Sequence, residues 1–185
     1  MVTQMYKEGE YVVYGLSGVC LIEAVTTIDI KDMPKDVEYY VLSPLSQGGK
    51  IYTRVDSSRD KIRPVISKDE AENLIKKIDE IEPLEVSNEK MIEELYKNAM
   101  RSFDCREWVR LIKCIYERKL SRVESGKKVT ATDEKYMRMA EDALYSEIAI
   151  ALGTSKDRVL EIILSYHPII MPGLTLILIE NILCM

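Results

Sequence analysis

An α+β fold in two parts, a small five-stranded β-barrel followed by an all-α bundle, is predicted by three observations. Residues 6–66 alternate short Val/Ile/Tyr-rich runs with Gly, Pro and Ser punctuation, as half-buried strands require. The pattern changes at Ser67, where apolar residues begin to recur at helical spacing. At 185 residues and 46% apolar composition, the chain is long enough for one ordinary domain or two small ones.

The strands are expected at 10–14, 19–27, 38–43, 50–55 and 61–66. Gly15 and Gly18 bracket the first connection and supply the backbone angles a tight turn needs. Ser67-Lys68-Asp69-Glu70 has capping-box spacing and starts a helix carrying Ala71, Leu74, Ile75 and Ile78. Pro83 ends that segment, and 83–88 reads as an inter-domain linker. From Glu89 onward Ile92, Leu95, Tyr96, Ala99 and Phe103 make one helical stripe, and Trp108, Leu111, Ile112, Ile115 and Tyr116 a second. A third helix is expected from about 132 to 152 with Gly153 as its stop, and Thr154-Ser155-Lys156-Asp157 caps a fourth. The resulting division is 1–67 barrel, 68–88 helix and linker, 89–167 helical domain, and 168–185 apolar tail.

Net charge is −5, against a protein that binds nucleic acid through global positive charge. A local bias runs the other way, since residues 101–128 hold nine Lys/Arg against four Asp/Glu. Cys20, Cys105, Cys114 and Cys184 are scattered, with His167 the only histidine, so no zinc site, no cofactor and no disulfide framework is expected. No nucleophile-elbow, zinc-protease or phosphate-loop motif is present, so no enzyme activity is expected. Gly48-Gly49-Lys50 joins two strands and reads as a hairpin turn. Asp69, Glu70, Glu72, Asp79, Glu80, Glu82 and Glu85 read as a solvated acidic stretch. The charged, strand-forming opening predicts a protein that is not exported, and 169–185 is too short and broken for a good membrane span. A cytoplasmic protein with reduced thiols is the expectation.

The run from Lys7 to Ile22, with Glu10-Tyr11-Val12-Val13-Tyr14, Gly18-Val19 and then Leu21-Ile22-Glu23-Ala24-Val25, resembles the opening of the CarD/CdnL family of bacterial transcription regulators. Further matching strings follow in order at 38–42, 51–56, 63–66 and 143–149, so the resemblance spans about 5–165. It implies an SH3/Tudor-like barrel that binds the RNA polymerase β subunit by strand pairing, and a helical domain that contacts promoter DNA near the upstream edge of the bubble and alters open-complex stability. The strand matching the family's docking strand is Ile51–Val55, so Tyr52, Thr53 and Arg54, with Ile28, are the implied polymerase contacts. Arg54 stands where many relatives carry proline. The implied DNA surface is a basic rim of Lys90, Lys97, Arg101, Lys127, Lys128 and Lys135, touching phosphates rather than bases. The family's wedge tryptophan falls near Asn88-Glu89-Lys90, where no aromatic stands; Met91 is the softer candidate, and Trp108 reads as core. The same barrel occurs in transcription–repair coupling factors, whose helicase motifs this chain lacks. A protein–protein adaptor on polymerase, without DNA contact, is the alternative. The tail's Leu174, Leu176, Ile177, Leu178, Ile179, Ile182 and Leu183 leave packing on the bundle and self-association both open.

Overall fold

A computed structural model describes residues 6–28, 37–46, 48–58 and 60–167; the expectations for the tail at 168–185 lie outside them. The chain divides into a first unit, Met1–Ile66, and a second, Ser67–Met185.

In the first unit β1 (Tyr11–Tyr14), β2 (Val19–Thr27), β3 (Glu38–Pro44), β4 (Ile51–Arg54) and β5 (Ile62–Pro64) form one antiparallel sheet in the order β4-β3-β2-β1-β5. Five strands followed by helices bear out the α+β class. Among the described residues no ladder joins β4 to β5, so the expected closure into a barrel is not made by hydrogen bonds between these two strands.

Side-chain period explains the core. Val12, Cys20, Ile22, Tyr40, Leu42 and Ile62 are buried together, with Tyr6, Tyr14, Val25, Ile51 and Val55 packed against them. In β2 the inward positions run Cys20, Ile22 and then Val25, a step of three where a strand repeats every two. The register shift between Ile22 and Ala24 accounts for it: a bulge at Glu23 resets the phase so that Val25, opposite Tyr40, still faces the core. Burial pushes the Cys20 thiol up to about 11 and keeps it protonated.

The second unit contains α1 (Lys68–Lys76), α2 (Ile92–Arg101), α3 (Cys105–Glu124), α4 (Ala131–Leu152) and α5 (Lys156–Tyr166). Their ends follow local chemistry. Ser67 and Glu70 make the reciprocal capping box, Thr130 Oγ1 accepts from Asp133 N, Ser155 Oγ from Arg158 N, and Gly153 closes α4 in the left-handed region at φ 63°. The stripe through Phe103 is corrected: Phe103 lies between α2 and α3 with φ 56°, and Asp104 then caps α3 by accepting from Arg106 N.

α3 and α4 form the central pair, with α1 packed on α4 and α5. Trp108, Ile112, Ile115, Leu144, Ile148, Val159 and Ile163 fill the interior. The segment after α1, up to Leu84 of the stretch expected as a linker, runs along α3, where Lys113 Nζ donates to Ile81 O at 2.7 Å, Arg110 Nε to Glu82 O at 3.2 Å and Leu84 N to Arg110 O at 3.3 Å. His167, at the end of α5, places Nε2 2.6 Å from Ile75 O and Nδ1 2.7 Å from Asp79 Oδ2, tying α5 to α1 and the turn after it.

One buried charge organises the end of the unit where α4 begins. Asp133 is fully buried, and its Oδ1 accepts from Tyr96 Oη at 2.8 Å and from Arg118 Nε at 3.4 Å. Arg118 Nη1 reaches on to Glu89 Oε1, so one guanidinium joins α3, α4 and the turn before α2. Burial works against its charge, but the bond to Glu89 and the field of Asp133 hold its pKa above the ordinary arginine value. Arg118→Met is therefore expected to destabilise the chain by about 3 kcal/mol, because it strands a buried carboxylate. Denaturant melts should show that loss, and adding Asp133→Asn should recover part of it; unchanged stability of the single variant would mean that the carboxylate is not held by Arg118.

Candidate functional site

β4 is a four-residue edge strand. Its register against β3 pairs Ile51 with Leu42, Tyr52 with Val41, Thr53 with Tyr40 and Arg54 with Tyr39, and Val55 N donates to Glu38 O at 3.0 Å. Antiparallel strands exchange both backbone bonds at alternate positions. The Val55–Glu38 bond therefore turns the backbone groups of Ile51, Thr53 and Val55 toward β3 and those of Tyr52 and Arg54 outward. Among the described residues no strand lies beyond that edge. The outward N–H and C=O groups form a short template for another strand.

Side chains on β4 sort the same way. Tyr52 and Arg54 are exposed, whereas Thr53 is buried and Ile51 packs against the core. Of the three residues expected to meet a partner, two present side chains and Thr53 does not. Ile28 is partly buried just beyond β2, which β3 separates from β4. A proline at position 54 would leave the β3 ladder intact, because that N–H points outward.

Ion pairs stand at both ends of the strand. Arg54 holds Asp56 through Nε–Oδ1 at 3.1 Å and Nη2–Oδ2 at 2.6 Å, which lowers the Asp56 pKa and raises that of Arg54. Lys50 Nζ lies 2.6 Å from Glu23 Oε2, so the bulge of β2 reaches across β3 to the start of β4. The hydrogen bond from Lys50 lowers the Glu23 pKa.

The six basic rim residues fall into two groups. Lys97 Nζ lies 3.5 Å from Glu93 and 3.9 Å from Glu94, and Arg101 Nη1 3.9 Å from Glu94. Lys135 Nζ stands 5.1 Å above the Tyr136 ring, whose hydroxyl meets Glu93 at 3.4 Å. These three thus surround Tyr136, two of them with carboxylates at hand. The other group gathers at the end of α3. Glu89, next to Lys90, binds Arg118; one turn on, Arg122 Nε donates to Lys128 O at 2.8 Å and Lys127 N to Arg122 O at 2.8 Å. Lys90, Lys127 and Lys128 are exposed and, among the described residues, make no ion pair. Met91 is 56% exposed beside Lys90, whereas Trp108 is 1% exposed and belongs to the core.

Sequence reasoning missed the Glu23–Lys50 and Arg118–Asp133 contacts, which join distant positions. The Glu93–Lys97 pairing was visible as an i,i+4 spacing. Among the described residues no group of three or more His, Cys, Asp or Glu side chains is arranged to hold a metal, and no helix is long and apolar enough to cross a membrane.

Comparison with known proteins matches residues 6–66 to the CarD-like/TRCF RID domain. The match covers the whole described sheet, including β4, and so bears out the family resemblance there. No curated protein matches the chain.

Proposed function

From a CarD-like/TRCF RID domain whose β4 edge is unpaired among the described residues, we propose that the chain is a non-enzymatic transcription regulator that docks on RNA polymerase. The open β4 edge is the observation that carries this reading, because its outward backbone at Tyr52 and Arg54 is what strand addition uses. The partner surface is a strand of the β-subunit lobe, and the sheet serves as the barrel-like docking module of a two-domain cytoplasmic protein. The second unit then reaches the promoter phosphates upstream of the bubble and shifts open-complex stability, with Met91 as its exposed apolar tip in place of the family's tryptophan. Co-purification with the cognate polymerase, binding to the isolated β lobe, and footprinting with and without the protein test this reading. Absence of lobe binding overturns it.

Lys90, Lys127 and Lys128 support the DNA contact, since they are exposed and make no ion pair among the described residues. Replacing all three by Ala is expected to weaken promoter binding similarly across sequences and to reduce the salt slope by about one unit per lost contact. Lys97→Ala with Arg101→Ala is expected to do less, because Glu93 and Glu94 already neutralise those charges. The measurement belongs on the polymerase–promoter complex, where tethering raises the local DNA concentration. An unchanged salt slope for the triple variant would favour the adaptor reading, for which the acidic partners of Lys97 and Arg101 already speak.

A further inference from the structure

The approach to α2 has little packing of its own. No residue from Glu85 to Met91 is buried, and Val86 alone is half-buried. Within this stretch Glu89–Met91 forms a single 3-10 turn whose own bonds are local: Asn88 Oδ1 accepts from Lys90 N at 3.0 Å, and Met91 N donates to Asn88 O at 3.0 Å. Among the described residues, the one hydrogen bond or ion pair that ties 85–91 to a residue other than its neighbours in α2 is the contact of Glu89 Oε1 with Arg118 Nη1 on α3.

The two partners are held differently. The Glu89 side chain is 70% exposed and that of Arg118 16%. Arg118 is itself fixed in the interior, because Asp133 Oδ1 accepts from its Nε and from Tyr96 Oη. Arg118 is thus the rigid end of a clamp, and Glu89 is the end it holds. An ion pair with one partner in water adds little to overall stability. It can still fix a turn that no buried side chain anchors, because there it selects one conformation from many.

Charge points the same way. Lys90 follows Glu89, and Met91, 56% exposed, ends the turn. An acid beside residues that meet promoter phosphates opposes that contact. A glutamate at this position therefore serves the contact through placement, not through its charge.

We infer that Glu89 is a positioning residue: clamped by Arg118, it fixes the turn that presents Met91 to the upstream edge of the bubble. The inference rests on the promoter reading above. Its test uses the full chain on the polymerase–promoter complex and reads the factor by which the protein changes open-complex lifetime, for Glu89→Ala, Met91→Ala and both together. Each single variant is expected to cut that factor by about threefold or more with its melting curve unchanged, and the double variant to do no more than Met91→Ala, because a clamp has no effect without the tip it holds. An acid with no positional role acts in the opposite sense, since its removal takes a negative charge from beside the phosphates and strengthens binding. Glu89→Gln keeps the reach to Arg118 and loses the charge, whereas Glu89→Asp keeps the charge and loses the reach. The clamp expects the first to stay within about twofold of wild type and the second to fall below it; the reverse order overturns the clamp, even where the alanine variant folds poorly. An unchanged or larger factor for Glu89→Ala, while Met91→Ala still cuts it, overturns the clamp and leaves the promoter reading intact. Full additivity of the two alanine changes, or no effect of Met91→Ala, overturns it as well. If the wild-type protein leaves open-complex lifetime unchanged, the promoter reading has failed and the clamp with it.

Discussion

Trp108→Ala is expected to lower the unfolding free energy by about 3–5 kcal/mol, because it empties the site of a large, fully enclosed ring on the central helix. With two units in the chain, the loss should appear in the transition of the helical signal, while a probe on a sheet tyrosine reports no matching shift. Trp108 is the one tryptophan of the chain, so its own fluorescence gives the wild-type melt and far-UV circular dichroism the variant's. A variant of normal stability that fails only in open-complex assays would move Trp108 from the core to the DNA surface.

Tyr52→Ala with Arg54→Glu is expected to weaken binding to the isolated β lobe by at least about a hundredfold, near 2.7 kcal/mol. The first change removes an exposed ring from the proposed docking edge. The second replaces the cation by an anion beside Asp56, so two carboxylates face the incoming strand where a neutral pair stood. Stability of the sheet should barely change, since both side chains are exposed and an exposed ion pair contributes little. Affinity equal to wild type would place the interface on another part of the sheet.

Local signals in the sequence account well for where elements begin and end. Ser67 with Glu70, Thr130, Ser155 and Gly153 each act through atoms within a turn of themselves, and each cap forms as its residue type suggests. The break at Phe103 had a similar signal, because Asp104 and Glu107 have helix-start spacing, but the apolar stripe ran across it and masked the turn. The bulge at Glu23 was hidden for a different reason. A one-residue phase change inside a nine-residue strand is indistinguishable from imperfect alternation until the partner strand supplies the register. Basic residues were visible as a composition, but not their division. Glu93 and Glu94 claim Lys97 and Arg101 along their own helix, whereas the grouping of Lys90 with Lys127 and Lys128 depends on Arg118, which meets Glu89 from 29 positions away. Which strands end the sheet, β4 and β5, is also a property of strand order, and β4 reads no differently from its neighbours as a string of residues.

The ion pairs at the two ends of β4 also set a length limit on whatever strand it accepts. Lys50 with Glu23 and Arg54 with Asp56 are all partly or well exposed, so water reaches their charges. A guest strand of about four residues, near 13 Å long at 3.3 Å per residue, fits between them and leaves that water in place. A guest that runs on past Arg54 meets the Arg54–Asp56 pair and must dehydrate it. A copy of the same chain can offer only four residues bounded by the same charges, so edge-to-edge stacking gains too little to propagate. An edge that could accept a short guest is thereby a poor seed for fibre growth, by its shortness and by the charges at its ends.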